Sequence, residues 1–403
     1  MKRSTERILT THAGSLPRPI SLIEMYQDMY QTIMSGGMVD KDRRAASLGT
    51  AVPEIVSQQS EVGLDIVDDG EYGKPAFGTV DYGPWSSYAY QRLAGWESEE
   101  ARPNQAPATP LAARLASMAG RRERIQFAEF YEELNQTLPV TRPRLIFTGP
   151  IRYQGQDFIR TDLSNFRSAL DQSGVEEAFM CAVAPGSFGR GLNYYYATDE
   201  EYLMALAEAM REEYRAIVDA GFILQVDDPG LPDSWDMVNP AFTLEEYRKY
   251  ATMCVEALNH SLRGIPEDRV RYHICWGSWH GPHTADIPLR DIVDILLKVQ
   301  VGAYSVEAGN VRHEHEWKVW RDVKLPEGKI LIPGVVSHAT NVVEHPEVVA
   351  DRILNYATVV GRENVIAGTD CGLGGRIHPQ LVWAKLQVLV EGARLASSQL
   401  WED

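Results

Sequence analysis

Apolar residues along much of the chain fall into short runs separated by longer stretches of helical period. Eight runs read as strands: residues 64–72, 144–149, 178–184, 222–227, 270–276, 303–307, 330–336 and 365–371. Amphipathic helices are predicted at 41–63, 199–220, 243–262, 289–299, 346–360 and 378–400. Thr198 or Asp199 can cap the second of these, and Gly221 can end it. Apolar strands alternating with helices predict an α/β fold with a parallel sheet. Eight strands are the number that closes a (β/α)8 TIM barrel.

Two stretches break the rhythm. Residues 73–143 carry scattered aromatics and a Pro-rich segment at 102–110, and read as one long insertion after strand one, with a helix near 120–135. The whole chain, 1–403, is then a single barrel elaborated by that insertion. At the start, 1–20 is a polar lead-in ending in His12-Ala13-Gly14-Ser15-Leu16-Pro17-Arg18-Pro19. Gly beside Ser, followed by two prolines, predicts a fixed surface turn; the alternative is a loop whose N–H groups hold an anion.

Composition narrows the function. Net charge is −17, from 39 basic and 56 acidic residues, which argues against nucleic acid or an anionic membrane as partner. Four cysteines in 403 residues do not make a disulfide scaffold. The N-terminal stretch lacks an apolar signal core, and no apolar run has membrane-spanning length. The expectation is a cytoplasmic protein with reduced thiols.

The candidate chemistry lies at the strand ends, where a barrel carries its active site. His273 and Cys275 stand two apart on one strand and so point the same way. Glu307 ends the next strand, and Cys371 follows the last. Two thiolates, an imidazole and a carboxylate make a plausible zinc set; read alone, Cys371 is a small buried hydrophobe. A thiolate-rich zinc site suits activation of an added thiol, with Glu307 as the ligand displaced when that thiol arrives. His338 is either a proton donor to the leaving atom or a loop histidine capping a helix. Glu71 and Asp227 either hold an ammonium on the acceptor or cap the following helices. His280 and His283 read as pocket-wall residues. His313 and His315, at a spacing that suits no single helix face, read as a solvated face.

Taken together, His12-Ala13-Gly14-Ser15-Leu16-Pro17, Gln225-Val226-Asp227-Asp228-Pro229, His273-Ile274-Cys275, Glu307, His338 and Asp370-Cys371-Gly372-Leu373 resemble the cobalamin-independent methionine synthase superfamily. The matches fall in the family's order and correspond to its catalytic, C-terminal barrel, without the N-terminal half that helps bind folate. The wording of 273–283, 313–317, 337–346 and 369–376 looks most like the epoxyalkane:coenzyme M transferase branch, in which zinc activates coenzyme M to open an epoxide. The resemblance implies zinc at His273, Cys275 and Cys371, with Glu307 as fourth ligand. It implies Ser15, Glu71 and Asp227 around the acceptor thiol, His338 assisting proton transfer, and Gly149-Pro150 in the electrophile pocket. The implied partners are a small thiol, homocysteine or coenzyme M, and an alkyl donor. Glu71 and Asp227 suit the amine of homocysteine; the sulfonate of coenzyme M needs a cation such as Arg18 or Arg376. The readings to separate are thiol alkylation of the coenzyme M type, methyl transfer to homocysteine, a binding protein with a structural zinc, and a metal-free carboxylate barrel.

Overall fold

The computed structural model describes residues 1–401 apart from 36, 103, 116–119, 138–143, 172, 176, 191 and 239. Its strands are β1 (Leu9–Thr10), β2 (Ile66–Val67), β3 (Leu93–Ser98), β4 (Leu145–Tyr153), β5 (Glu177–Val183), β6 (Ile223–Asp227), β7 (Val270–Ile274), β8 (Ala303–Glu307), β9 (Ile330–Val336) and β10 (Ile366–Thr369). Eight form one sheet in the order β1-β10-β9-β8-β7-β6-β5-β2, every pair parallel. The remaining edges nearly meet: Asp65 N–H donates to Thr10 O at 3.2 Å, and Thr11 Oγ1 donates to Ile66 O at 3.1 Å. The result is a (β/α)8 TIM barrel.

The sequence expectation fails at one strand. Of the run 144–149, residues 145–149 belong to β4, which pairs antiparallel with β3 outside the barrel. Its place is taken by β1, two residues long, which pairs with β10. An apolar run such as Leu145-Ile146-Phe147 does not reveal which sheet it joins, and a two-residue strand is too short to show a period. The residues after β1 are accordingly not a surface turn: Thr11, His12, Ala13, Gly14 and Leu16 are all buried.

Helices cover the barrel where capping and pattern agree. Asp199–Asp219 and Leu244–Leu262 open on capping boxes, Thr198 with Glu201 and Thr243 with Glu246. Lys41–Val62 starts on Asp40 and stops at Gly63, which takes the left-handed conformation that favours glycine. Pro346–Val360 and Pro379–Trp401 pack on each other. The predicted helix at 289–299 shrinks to the two short turns Leu289–Asp291 and Val293–Leu296.

Inside the barrel, Ile66, Phe179, Cys181, Ile223, Ala303, Ile330, Ile332 and Ile366 form a compact apolar cluster. One buried cation shares this interior. Arg271 donates to Gln225 Oε1, Thr11 Oγ1 and His12 O, with its guanidinium over the Phe179 ring. It ties β7 to β6 and to the end of β1, which matters because those strand ends carry the site.

Between β2 and the helix Gln156–Leu170 the chain leaves the barrel. It forms the helix Pro84–Arg92, the β3–β4 ribbon and the helices Pro110–Leu115, Arg122–Gln126 and Ala128–Thr137. Residue 103 of the Pro-rich segment and the last six residues of the predicted insertion, 138–143, lie outside the described residues. Among the described residues no helix is long and apolar enough to cross a membrane.

Candidate metal centre

Strand register builds the site. Asp227 of β6 lies level with His273 of β7, and His273 with Ser305 of β8. Register partners in a parallel sheet face the same side, so these three side chains share one layer. Cys275 follows one residue after β7, and Cys371 two residues after β10. Their sulfurs are 3.6 Å apart, and ligand atoms of His273, Cys275 and Cys371 all lie within 4.8 Å of one another.

His273 engages one ring nitrogen and leaves the other free. Its Nδ1 is 3.0 Å from Ser305 Oγ, while its Nε2 is buried without a hydrogen-bond partner. With Nδ1–H donated to Ser305, Nε2 keeps its lone pair for the thiol side. A buried nitrogen without a partner is costly in a folded protein unless something else satisfies it. This donor set, one imidazole and two thiols, fits a borderline-soft divalent ion. The contact between the sulfurs pushes the Cys371 thiol well below its ordinary pKa, with the proton kept on Cys275, whose own pKa rises.

Glu307 does not join that group. Its Oε1 accepts Trp276 N–H at 3.0 Å and its Oε2 accepts from Asn310 Nδ2 at 2.7 Å. Asn310 also donates to Asp370, which accepts the backbone N–H groups of Ala308 and Gly309 at 2.7 Å each. This network ties the end of β8 to the residue before Cys371. The approach of β9 to β10 is equally close: a Cβ on Gly334 would lie 2.4 Å from the backbone of Asp370.

A second cluster sits beside the first. Ligand atoms of Glu71, Cys181 and Asp227 also lie within 4.8 Å of one another. Gln225 Nε2 donates to Asp227 Oδ1 at 2.6 Å, and Asp227 Oδ2 has no partner. Burial pushes the Asp227 carboxyl up to about 7. Glu71 occupies the left-handed region at φ 57°, an uncommon conformation for a non-glycine residue. Gly14 makes room for it: a Cβ there would lie 2.6 Å from Glu71 Oε1. His273, Cys275 and Cys371 of the first cluster and Glu71 and Asp227 of the second line a cavity of about 320 Å³, together with Ser15, Trp85, Trp279 and Arg376.

Other predicted residues fall elsewhere. His338 is buried with Nδ1 unpartnered, and burial lowers its pKa to about 3, so it stands neutral; it does not line the cavity. Gly149 and Pro150 lie on β4 and do not line the cavity either. Arg18 is engaged, donating to Ser15 Oγ and Glu71 O. Arg376 lines the cavity and donates to Ser278 Oγ. His315 is exposed, but His313 is not the solvated residue expected of it. It is buried between Asp286, 3.1 Å from Nε2, and Glu316, 3.0 Å from Nδ1, and stacks on Trp276. The two carboxylates come from separate turns, which short-range spacing does not reveal. Ser305 and Lys74 were not singled out from sequence; Ser305 stands two before Glu307, on the same strand face, which was the available signal.

A parallel barrel that gathers an imidazole and two thiols at its C-terminal mouth, under an open cavity, belongs with barrels that do chemistry on that face. Residues 193–395 match the family described as the catalytic domain of cobalamin-independent synthases, and the chain belongs to that family. A 2-hydroxypropyl-CoM lyase from Xanthobacter autotrophicus is 21% identical over 380 residues, 88% of this chain and 86% of that protein. A methionine synthase from Saccharolobus solfataricus is 26% identical over 271 residues, 63% of this chain and 73% of its own length. The fold is shared with a B12-independent methionine synthase from Shewanella sp. W3-18-1, solved in complex with selenomethionine, at a TM-score of 0.66 and 18% identity, covering 98% of this chain and 99% of that one.

Proposed function

We propose that the protein is a zinc-dependent S-alkyltransferase, moving an alkyl or methyl group from a small electrophile onto the sulfur of a thiol substrate. The observation that carries this is the unpartnered Nε2 of His273 facing two thiols 3.6 Å apart. Zinc held by His273, Cys275 and Cys371 supplies deprotonation of a coordinating thiol at neutral pH, which makes it a nucleophile. His273, Cys275 and Cys371 would hold the ion and would leave it open to that substrate, as a catalytic site requires. Glu307 completes the set in the absence of thiol only if its bonds to Trp276 and Asn310 rearrange.

The chain's own residues do the rest. Ser305 anchors the His273 ring through Nδ1. Ser15, Glu71 and Asp227 line the space beside the thiols and orient the substrate. The S–C bond forms as the bond from carbon to its leaving atom breaks, and that atom takes the electron pair and then a proton. His338, neutral and outside the cavity wall, serves there as an N–H donor only if it turns into the cavity when substrate binds. The relative acting on a coenzyme M thioether favours an epoxide-type electrophile. The second reading, methyl transfer to homocysteine, is favoured by the two carboxylates Glu71 and Asp227 and by the methionine synthase relatives.

Elemental analysis of the purified protein tests the proposal. The expected result is one zinc per chain, lost together with thiol alkylation in Cys275→Ser and in Cys371→Ser. Zinc retained without any thiol binding would instead mark a structural site, and a metal-free active protein would sink the proposal.

A further inference from the structure

Arg376 lines the cavity from the loop after β10, in the same segment as Cys371. Its guanidinium is held on several sides. Nε donates to Ser278 Oγ at 2.7 Å, Nη1 donates to Asp81 O and Gly375 O, and the group lies over the Tyr82 ring, 4.6 Å from its centroid. Ser278 belongs to the loop that follows Cys275, so this one side chain bridges the loops next to both thiols. Nη2 makes no hydrogen bond among the described residues, and the Asp81 carboxylate is turned to the N–H groups of Phe77 and Gly83 instead. A fixed, charged donor with spare N–H capacity therefore borders the substrate space.

The carboxylates of the cavity stand elsewhere. Asp227 is on β6, four places from β10 in the eight-strand order and so across the barrel. Glu71 follows β2 and has its own cation, with Lys74 Nζ 3.1 Å from Oε1. The other guanidinium groups of the wall are placed differently: Arg121 and Arg190 pair with Asp233, and Arg124 sits on the excursion helix Arg122–Gln126.

Resting on the function proposed above, we infer that Arg376 is a catalytic residue that receives the leaving oxygen of the electrophile. The thiolate sulfur gives an electron pair to carbon, the C–O bond breaks, and the oxygen keeps its pair as an alkoxide held by Nη2–H. The guanidinium keeps its own protons. The alkoxide takes a proton from water, matching the one the thiol gave up to solvent. Unlike His338, Arg376 already lines the cavity. It favours an electrophile whose leaving atom becomes an oxygen anion, because a donor aimed at developing charge acts on the transition state. An iodide, large and weakly basic, gains little from it.

Two measurements on the zinc-loaded, full-length protein test this. The first compares alkylation by epoxypropane with alkylation by 1-iodopropane, using at saturation whichever of homocysteine and coenzyme M the wild type alkylates. Using one thiol for both cancels any effect of the variant on thiol binding. R376M is expected to lower the epoxide-to-iodide ratio of kcat by about 100-fold or more. The second is calorimetric: the wild type is expected to bind the 2-hydroxypropyl thioether of that thiol about tenfold tighter than the propyl thioether, and R376M to bind the two alike. An unchanged rate ratio in a folded R376M would overturn the inference, and so would a wild type that binds both thioethers equally. If R376M does not fold, that wild-type preference decides. A wild type that alkylates the thiol with 1-iodopropane but not with epoxypropane would overturn the inference and leave thiol alkylation standing. A wild type that alkylates neither thiol with either reagent would overturn the functional proposal and the inference with it.

Discussion

Ser305 makes one hydrogen bond to His273, and the direction of a metal-facing lone pair turns on it. Loss of such a supporting partner weakens metal affinity by about 10–100-fold in comparable sites. Ser305→Ala should show a loss of that size in zinc competition against a chelator, with the fold unchanged by circular dichroism. His313 answers a different question. Its flanking carboxylates, Asp286 and Glu316, hold it protonated to about pH 10 against the opposing effect of burial. In an unfolded chain the same group titrates near about 6.5. Stability from this cluster is therefore complete below about pH 6.5 and drains away as pH rises toward the folded value. Thermal melts of the wild type should fall across that window, and His313→Gln should melt lower at pH 6 while losing less between neutral and alkaline pH. A parallel pH slope in the variant would show that other groups set it. Of these residues only the ligand candidates were legible in sequence. The His273–Cys275 pair reads through strand alternation, whereas Ser305, Lys74 and the burial of His313 depend on which turns and strands become neighbours.

Among the elements, the approach of β9 to β10 has the sharpest consequence. Gly334 faces the Asp370 backbone with no room for a side chain, and Cys371 is the next residue. Gly334→Ala should cost about 1–3 kcal/mol through overpacking. It should also weaken zinc binding, because the strand it displaces leads directly into Cys371. An alanine variant with native melting temperature and native zinc content would contradict that account. Most barrel strands were legible as apolar runs ending in polar residues, since buried parallel strands need apolar side chains along their length. β1 was not, because two residues carry no period, and β4 was assigned to the wrong sheet because its pattern is that of any half-buried strand. The helices with capping boxes, Asp199–Asp219 and Leu244–Leu262, were the most readable elements, as their ends are written in local residues.

Over the whole molecule, the barrel brings together groups nearly a hundred residues apart, Cys275 and Cys371 being the clearest case. Strand order explains it: successive strands are neighbours in the sheet from β5 to β10, so their ends form a rim. That rim was foreseeable once the strands were counted, and the ordered motifs pointed to the family independently. The content of the cavity was less foreseeable, because the excursion between β2 and Gln156 contributes Trp85 to its wall from outside the repeating pattern. The central claim is that Cys275 and Cys371 bind zinc and leave room for a substrate sulfur. X-ray absorption at the zinc edge addresses it directly, on protein alone and after addition of thiol. The account predicts two sulfur neighbours with nitrogen or oxygen in the resting protein, rising to three sulfurs when thiol is added. A sulfur count that does not change with thiol, or a zinc with no sulfur neighbour, would contradict it.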